Sequence, residues 1–199
     1  MAGAQAAGPR SEVGARQAPL RETYAEDPRT ALIVDRGRTV DRLPGDAVHT
    51  TAVPGEEYAA EQVQIAVGTH RGVGGLHDAP NPGELLCAAL AACQDSTVRM
   101  VANLLAVELT ALAVDVEGDV DLRGTLAVDL AVPVGFQAFR CRTRVGVAPD
   151  TPARTVELLL MAAERSCVVL DTLRRGIAAT SEFDVERVSA PSRSARRTP

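Results

Sequence analysis

Between residues 60 and 188 the spacing of apolar positions changes period several times. Val63, Ile65 and Val67 alternate with Gln62, Gln64 and Ala66, which predicts a half-buried strand. A glycine-rich loop, residues 68–75, follows. Asn81-Pro82-Gly83-Glu84 then opens a long helix. Asn81 is a good N-cap, Pro82 fits the first helical position, and Glu84 can close a capping box. Leu86, Leu90, Cys93, Thr97, Met100 and Leu104 are spaced 4, 3, 4, 3, 4 and form one stripe. A helix reaching Ala106 is about 36 Å long at 1.5 Å per residue, long enough to be the central element.

Alternation then returns. Leu112, Val114 and Val116 predict one strand, Leu126, Val128, Leu130 and Val132 a second, and Phe139, Cys141, Thr143 and Val145 a third. The third strand carries Arg140, Arg142 and Arg144 on its other face, as expected where one side of an antiparallel sheet meets solvent. Thr151-Pro152 starts a second long helix with a stripe of Val156, Leu160, Ala163, Cys167 and Leu170. Arg174 and Arg175 suit its C-terminal end and Gly176 its cap. A last strand is expected over 177–188. Strands are grouped, not alternated one-to-one with helices, so the fold class is α+β with largely antiparallel sheet. Residues 1–19 and 189–199 read as disordered tails, the second basic, around one domain over 20–188. The stretch from Tyr24 to Val34 reads as an added helix or strand.

Composition narrows the function classes. The 199 residues suit one domain, and 46% hydrophobic residues can build a core. The net charge of −5 and the scarcity of aromatics argue against a nucleic-acid surface or a base-stacking platform. The densest apolar run, Leu85 to Cys93, is too short for a membrane span. All 21 basic residues are Arg, which removes lysine chemistry. Residues 1–20 lack the apolar stretch of a signal peptide, so the expected compartment is the cytoplasm, with reduced thiols. Cys87, Cys93, Cys141 and Cys167 have no zinc-site spacing, and neither do His70 and His77, so no metal or cofactor is expected.

Cys93 and Cys167 each sit mid-stripe on a different long helix. If the stripes pack together, the sulfurs can meet. The competing reading is that free cysteines pack as small apolar groups, and it fits Cys87 and Cys141 best.

The segment Asn81-Pro82-Gly83-Glu84-Leu85-Leu86-Cys87-Ala88-Ala89-Leu90-Ala91-Ala92-Cys93 resembles the first signature of the OsmC/Ohr family. Val116-Glu117-Gly118-Asp119 with Leu122-Arg123-Gly124 resembles the strand and turn after that family's first helix. Ala163-Glu164-Arg165-Ser166-Cys167-Val168-Val169, with Leu173 beyond, resembles its second signature. The likeness covers about residues 60–188. It implies an intertwined homodimer with two long central helices, antiparallel sheets around them and active sites at the dimer interface. It also implies reduction of organic hydroperoxides or hydrogen peroxide. Carried over, Cys93 is the peroxidatic thiol and Cys167 the resolving thiol, with an external, often lipoyl-bearing, dithiol as reductant. The family's active-site Arg corresponds most nearly to Arg38. Its partner Glu usually follows the Pro directly; here Gly83 stands there and Glu84 comes one residue later. The alternative is a non-enzymatic dimer that senses redox state or binds a small apolar ligand.

Overall fold

The computed structural model describes residues 12–40, 47–55 and 63–185. Its elements in chain order are α1 (Glu12–Glu26), β1 (Gly37–Val40), β2 (His49–Pro54), β3 (Ile65–Gly68), α2 (Pro82–Leu104), β4 (Leu109–Asp119), α3 (Leu122–Thr125), β5 (Ala138–Val147), α4 (Ala153–Ser166) and α5 (Val168–Arg175). The fold is α+β. One antiparallel sheet has the order β1-β2-β3, and β4 pairs with β5 in a second antiparallel ribbon.

Helix α2 starts as its sequence demands. The Asn81 side chain accepts hydrogen bonds from the N–H groups of Gly83 and Glu84. In return Glu84 Oε2 accepts from the Asn81 N–H at 2.8 Å. Together these satisfy donors that the first turn otherwise leaves unpaired. By length and composition α2 is apolar enough to cross a membrane, but a core helix passes the same test, and α2 packs against β4, α4 and α5. The core forms there. Val98, Val101, Ala102, Val107, Leu159 and Ala163 are buried, with Leu109, Leu112, Val145 and Val147 of the ribbon packed on them.

Strand β5 alternates as expected, with Phe139, Cys141, Thr143 and Val145 inward and Arg140, Arg142 and Arg144 exposed. The outward arginines meet carboxylates across the ribbon. Arg140 pairs with Glu117 and Asp119, and Arg144 with Asp115. They form the solvated face of an antiparallel ribbon.

The structure corrects four expectations. Residues 126–132 form no strand: α3 and a run of turns stand there, and Leu126, Val128 and Leu130 are 52%, 71% and 87% exposed. Two features fold this segment on itself. Ala127 takes a left-handed backbone (φ 54°), and a Cβ on Gly124 would sit 2.7 Å from the carbonyl oxygens of Val132 and Pro133. The second long helix is broken at Cys167, whose extended backbone (φ −77°, ψ 104°) ends α4 and begins α5. Residues 177–185 are not a strand, and Ile177, Phe183 and Val185 are exposed; the rest of that expected strand, 186–188, lies outside the described residues. Residues 12–19, read as part of a tail, lie in α1. None of its residues is buried, and it is tied to the end of α2 by Val13 N–H donating to Asn103 Oδ1 and Gln17 Nε2 to Met100 Sδ. The rest of the expected N-terminal tail, 1–11, and all of 189–199 lie outside the described residues.

Candidate functional site

The helices that carry the two cysteines do pack together, but not along the whole of the expected stripes: Leu160 is 45% exposed and Leu159 takes the buried place on α4, while Val98, Val101 and Ala102 carry the core side of α2. Cys93 stands on the buried side of α2, where its carbonyl accepts the Thr97 hydroxyl at 2.7 Å. Cys167 stands at the break between α4 and α5 and is fully buried. Their helices pack together, α2 against both α4 and α5, and the Cys93 thiol acts on the Cys167 thiol. Burial pushes the Cys167 thiol up from its ordinary range. The Leu170 backbone N–H beside the sulfur opposes this, and the Cys93 and Cys141 thiols add to the rise. Cys167 is therefore held as a thiol at neutral pH.

Cys141 stands on the β4–β5 ribbon. It faces inward from β5, opposite Val116 on β4. Burial pushes its thiol up, while a hydrogen bond from Thr143 and the nearby Arg174 guanidinium pull it back. The sequence reading assigned Cys141 a packing role. The signal for more was the alternation in β5, which puts Cys141 on the inward face of the strand. A cavity of about 710 Å³ opens between β5 and the α4–α5 pair, lined by Cys141, Gln94, Phe139, Leu173, Glu164 and Arg174 among others. Arg174 is held there by Glu164 at 2.6 Å.

Two of the expected site residues lie elsewhere in the chain. Glu84 is nine residues before Cys93, about 13 Å along the helix at 1.5 Å per residue. Its carboxylate serves the capping box and approaches His77 Nε2 at 3.5 Å. It also helps push up the Cys87 thiol, whose rise comes first from burial. Glu84 and Cys87 line a second cavity of about 840 Å³, where α2 starts beside the first sheet. His70 and His49 line it too. His70 meets His77 edge-on, with ring centroids 4.7 Å apart, and His49 pairs with Asp78. Among the described residues no cluster of three or more His, Cys, Asp or Glu is arranged to hold a metal ion. Arg38 lies on β1 opposite Val53, in a shallow cavity with Asp35, Arg36, Gly37 and Gly55. The structure thus brings Cys93 and Cys167 together and leaves Arg38 and Glu84 in separate cavities.

The arrangement can support dithiol–disulfide chemistry. Two thiols on helices that pack together, one acting on the other, are placed for exchange between dithiol and disulfide.

Comparison with known proteins gives the family and the fold. The family model described as OsmC-like protein matches residues 75–182, which contain Cys93, Cys141 and Cys167. An OsmC-like protein from Mycoplasma pneumoniae is similar in fold, with a TM-score of 0.55 at 16% identity over 72% of this chain and 89% of its own. An organic hydroperoxide resistance protein OsmC from Legionella pneumophila gives 0.52 at 19% identity, over 72% of this chain and 91% of its own. An OsmC-like protein of unknown function from Vibrio cholerae gives 0.55 at 12% identity, over 71% and 94%. Among curated proteins there is no match. With its family model matched over more than half of its length, and with the matching fold, the chain belongs to the OsmC-like family.

Proposed function

We propose that this protein is a thiol-dependent peroxidase that reduces organic hydroperoxides, works as a cytoplasmic homodimer, and serves in oxidative-stress defence. The observation that carries the reading is the placement of Cys93 on α2 where that helix packs on α4 and α5, close enough to act on the buried Cys167 thiol at their junction. The Legionella pneumophila relative, described as an organic hydroperoxide resistance protein and predicted redox protein, points the same way.

The chemistry follows from the pair. Cys93, as thiolate, attacks the terminal peroxide oxygen. An S–O bond forms, the O–O bond breaks, and the alcohol leaves with a proton. Cys93 is then a sulfenic acid. Cys167 attacks that sulfur, a disulfide forms, and the hydroxyl leaves as water with the Cys167 proton. An external dithiol returns both cysteines to thiols and becomes a disulfide itself. A second thiol close to the first favours resolution over further oxidation. The proposed dimer is supported by exposed apolar side chains at Leu32, Ile33 and Val34, and at Ile177, Phe183 and Val185. In such a dimer Arg38 of one copy could serve the cysteines of the other.

A second reading has its own observation. Glu84 is occupied as a helix cap and Arg38 lies in another cavity, so the chain could be a dimer that registers oxidation without turning over. Peptide mass spectrometry decides between them. The reduced protein is treated with one equivalent of cumene hydroperoxide, then supplied with excess peroxide and dihydrolipoamide. The peroxidase reading expects a Cys93–Cys167 bridge, sustained peroxide consumption, and loss of both in Cys93→Ser. Unchanged consumption in that variant would sink the mechanism. A bridge with only background turnover would favour the sensor.

A further inference from the structure

The cavity of about 840 Å³ at the start of α2 has no task in the chemistry above, and neither Cys93 nor Cys167 is in its wall. Its size falls within the range of pockets that hold small molecules, roughly 300–1,000 Å³. Val48, Val67, Val73, Leu122, Val134 and Phe136 give it apolar walls. The Phe136 ring is held in place. A Cβ on Gly83 would stand 3.0 Å from this ring and one on Gly118 2.5 Å, so the two glycines leave the space that the ring fills. Phe139 lies against it, with ring centroids 4.5 Å apart. That part of the wall is built before any ligand arrives.

Charge narrows what fits. The chain has 21 arginines, yet among the described residues none lines this cavity, and Glu84 is the one carboxylate in its wall. His49 is paired with Asp78. His70 adds no cation, because its Nδ1 accepts the Gly72 N–H at 3.0 Å and so carries no proton. A helix start ordinarily attracts anions, but this one is closed to them. The N–H groups of Gly83 and Glu84 already donate to Asn81 Oδ1, the Leu85 N–H donates to the Asn81 carbonyl, and the Glu84 carboxylate sits on the cap. A carboxylate or phosphate entering here would lose its water and meet Glu84, with no fixed cation to offset either cost. We propose that this cavity is a binding site for an uncharged, largely apolar small molecule. The assignment is independent of the peroxidase reading. Cys87, a half-buried thiol in the same wall, serves as its reporter.

Two probes of one skeleton test this. N-phenyl-1-naphthylamine is uncharged, and 8-anilinonaphthalene-1-sulfonate has the same rings with a sulfonate added. Fluorescence titration of the full chain is expected to show saturable binding of the first and binding at least tenfold weaker for the second. At saturation the uncharged probe is expected to slow iodoacetamide labelling of Cys87 tenfold or more in peptide maps, and to leave Cys141, in the other cavity, labelling as before. Val134→Arg, at an exposed place in the wall, is expected to narrow or reverse the preference at an unchanged melting temperature. Cys93→Ser is expected to bind both probes as the parent does, which separates this site from the redox pair. The proposal is overturned if the uncharged probe does not bind, if it binds without protecting Cys87, or if the sulfonate binds as well. A folded Val134→Arg variant with the parent's preference overturns it too. So does a Cys87 that fails to label before any probe is added, since a second copy of the chain would then fill the cavity.

Discussion

A thiol held above its ordinary range links side-chain chemistry to stability. Cys141 and Cys167 are both pushed up, first by burial. The folded chain therefore keeps these protons to higher pH than the unfolded chain does. Below the ordinary thiol value of about 8.5 both states are protonated, and the full contribution to stability is present. Above it the unfolded chain ionises first, so stability is lost as pH climbs through the raised values. The urea midpoint of the reduced protein should fall between about pH 8 and pH 10, and Cys167→Ser should flatten that fall. Glu84 poses a different residue-scale question, because one carboxylate is offered two jobs. Replacing Asn81 with Ala removes the cap and should cost about 1 kcal/mol, or roughly 2–4 °C in Tm. Glu84→Gln keeps the box, since a Gln side chain can still accept from the Asn81 N–H. If Glu84 is only a cap, Glu84→Gln should keep both melting temperature and peroxide turnover. Turnover lost at an unchanged melting temperature would make the negative charge itself part of the catalysis.

At the scale of elements, local signals were legible where they were backed by a partner. The Asn81–Glu84 start of α2 and the alternation of β5 are written in residues that act on near neighbours, and both elements form as read. Alternation at Leu126, Val128 and Leu130 has the same period but, among the described residues, no partner strand to bury it, so turn chemistry prevails. The deciding residue is Gly124. Substitution by Ala would drive a Cβ into the carbonyls of Val132 and Pro133. Gly124→Ala should destabilise the protein by about 1–3 kcal/mol, seen as a lower urea midpoint, whereas a glycine inside a strand would gain from the same change. The break at Cys167 was hidden for another reason. The helical stripe runs through it in phase, and nothing in the spacing marks one residue in extended backbone. That residue nevertheless decides the site, since it puts the sulfur at the start of α5 and within reach of the Leu170 N–H.

The core of the described residues is the meeting of α2, α4 and the β4–β5 ribbon, and Ala163 of the second cysteine stripe belongs to it. Periodicity placed Cys93 and Cys167 on two helices that pack together, and only the family resemblance singled them out as a pair. Arg38 could not be placed this way, because a short strand in the first sheet carries no stripe that points to the cysteines. The exposed apolar groups at 32–34 and 177–185 call for cover in the proposed homodimer. Sedimentation velocity should therefore give a dimer, and Ile33→Asp with Phe183→Asp should shift it toward monomer; a monomeric parent chain would remove the dimer from the picture.

The complete burial of Cys167 also makes the sulfur a clock. An alkylating reagent reaches a 0% exposed thiol only when the α4–α5 junction opens, so its labelling rate counts openings. Cys93, half-buried on the firmer α2, should label first when the reduced protein is pulsed with iodoacetamide. The lag before Cys167 follows would then measure the free energy of breathing at that junction, without any probe being added to the chain.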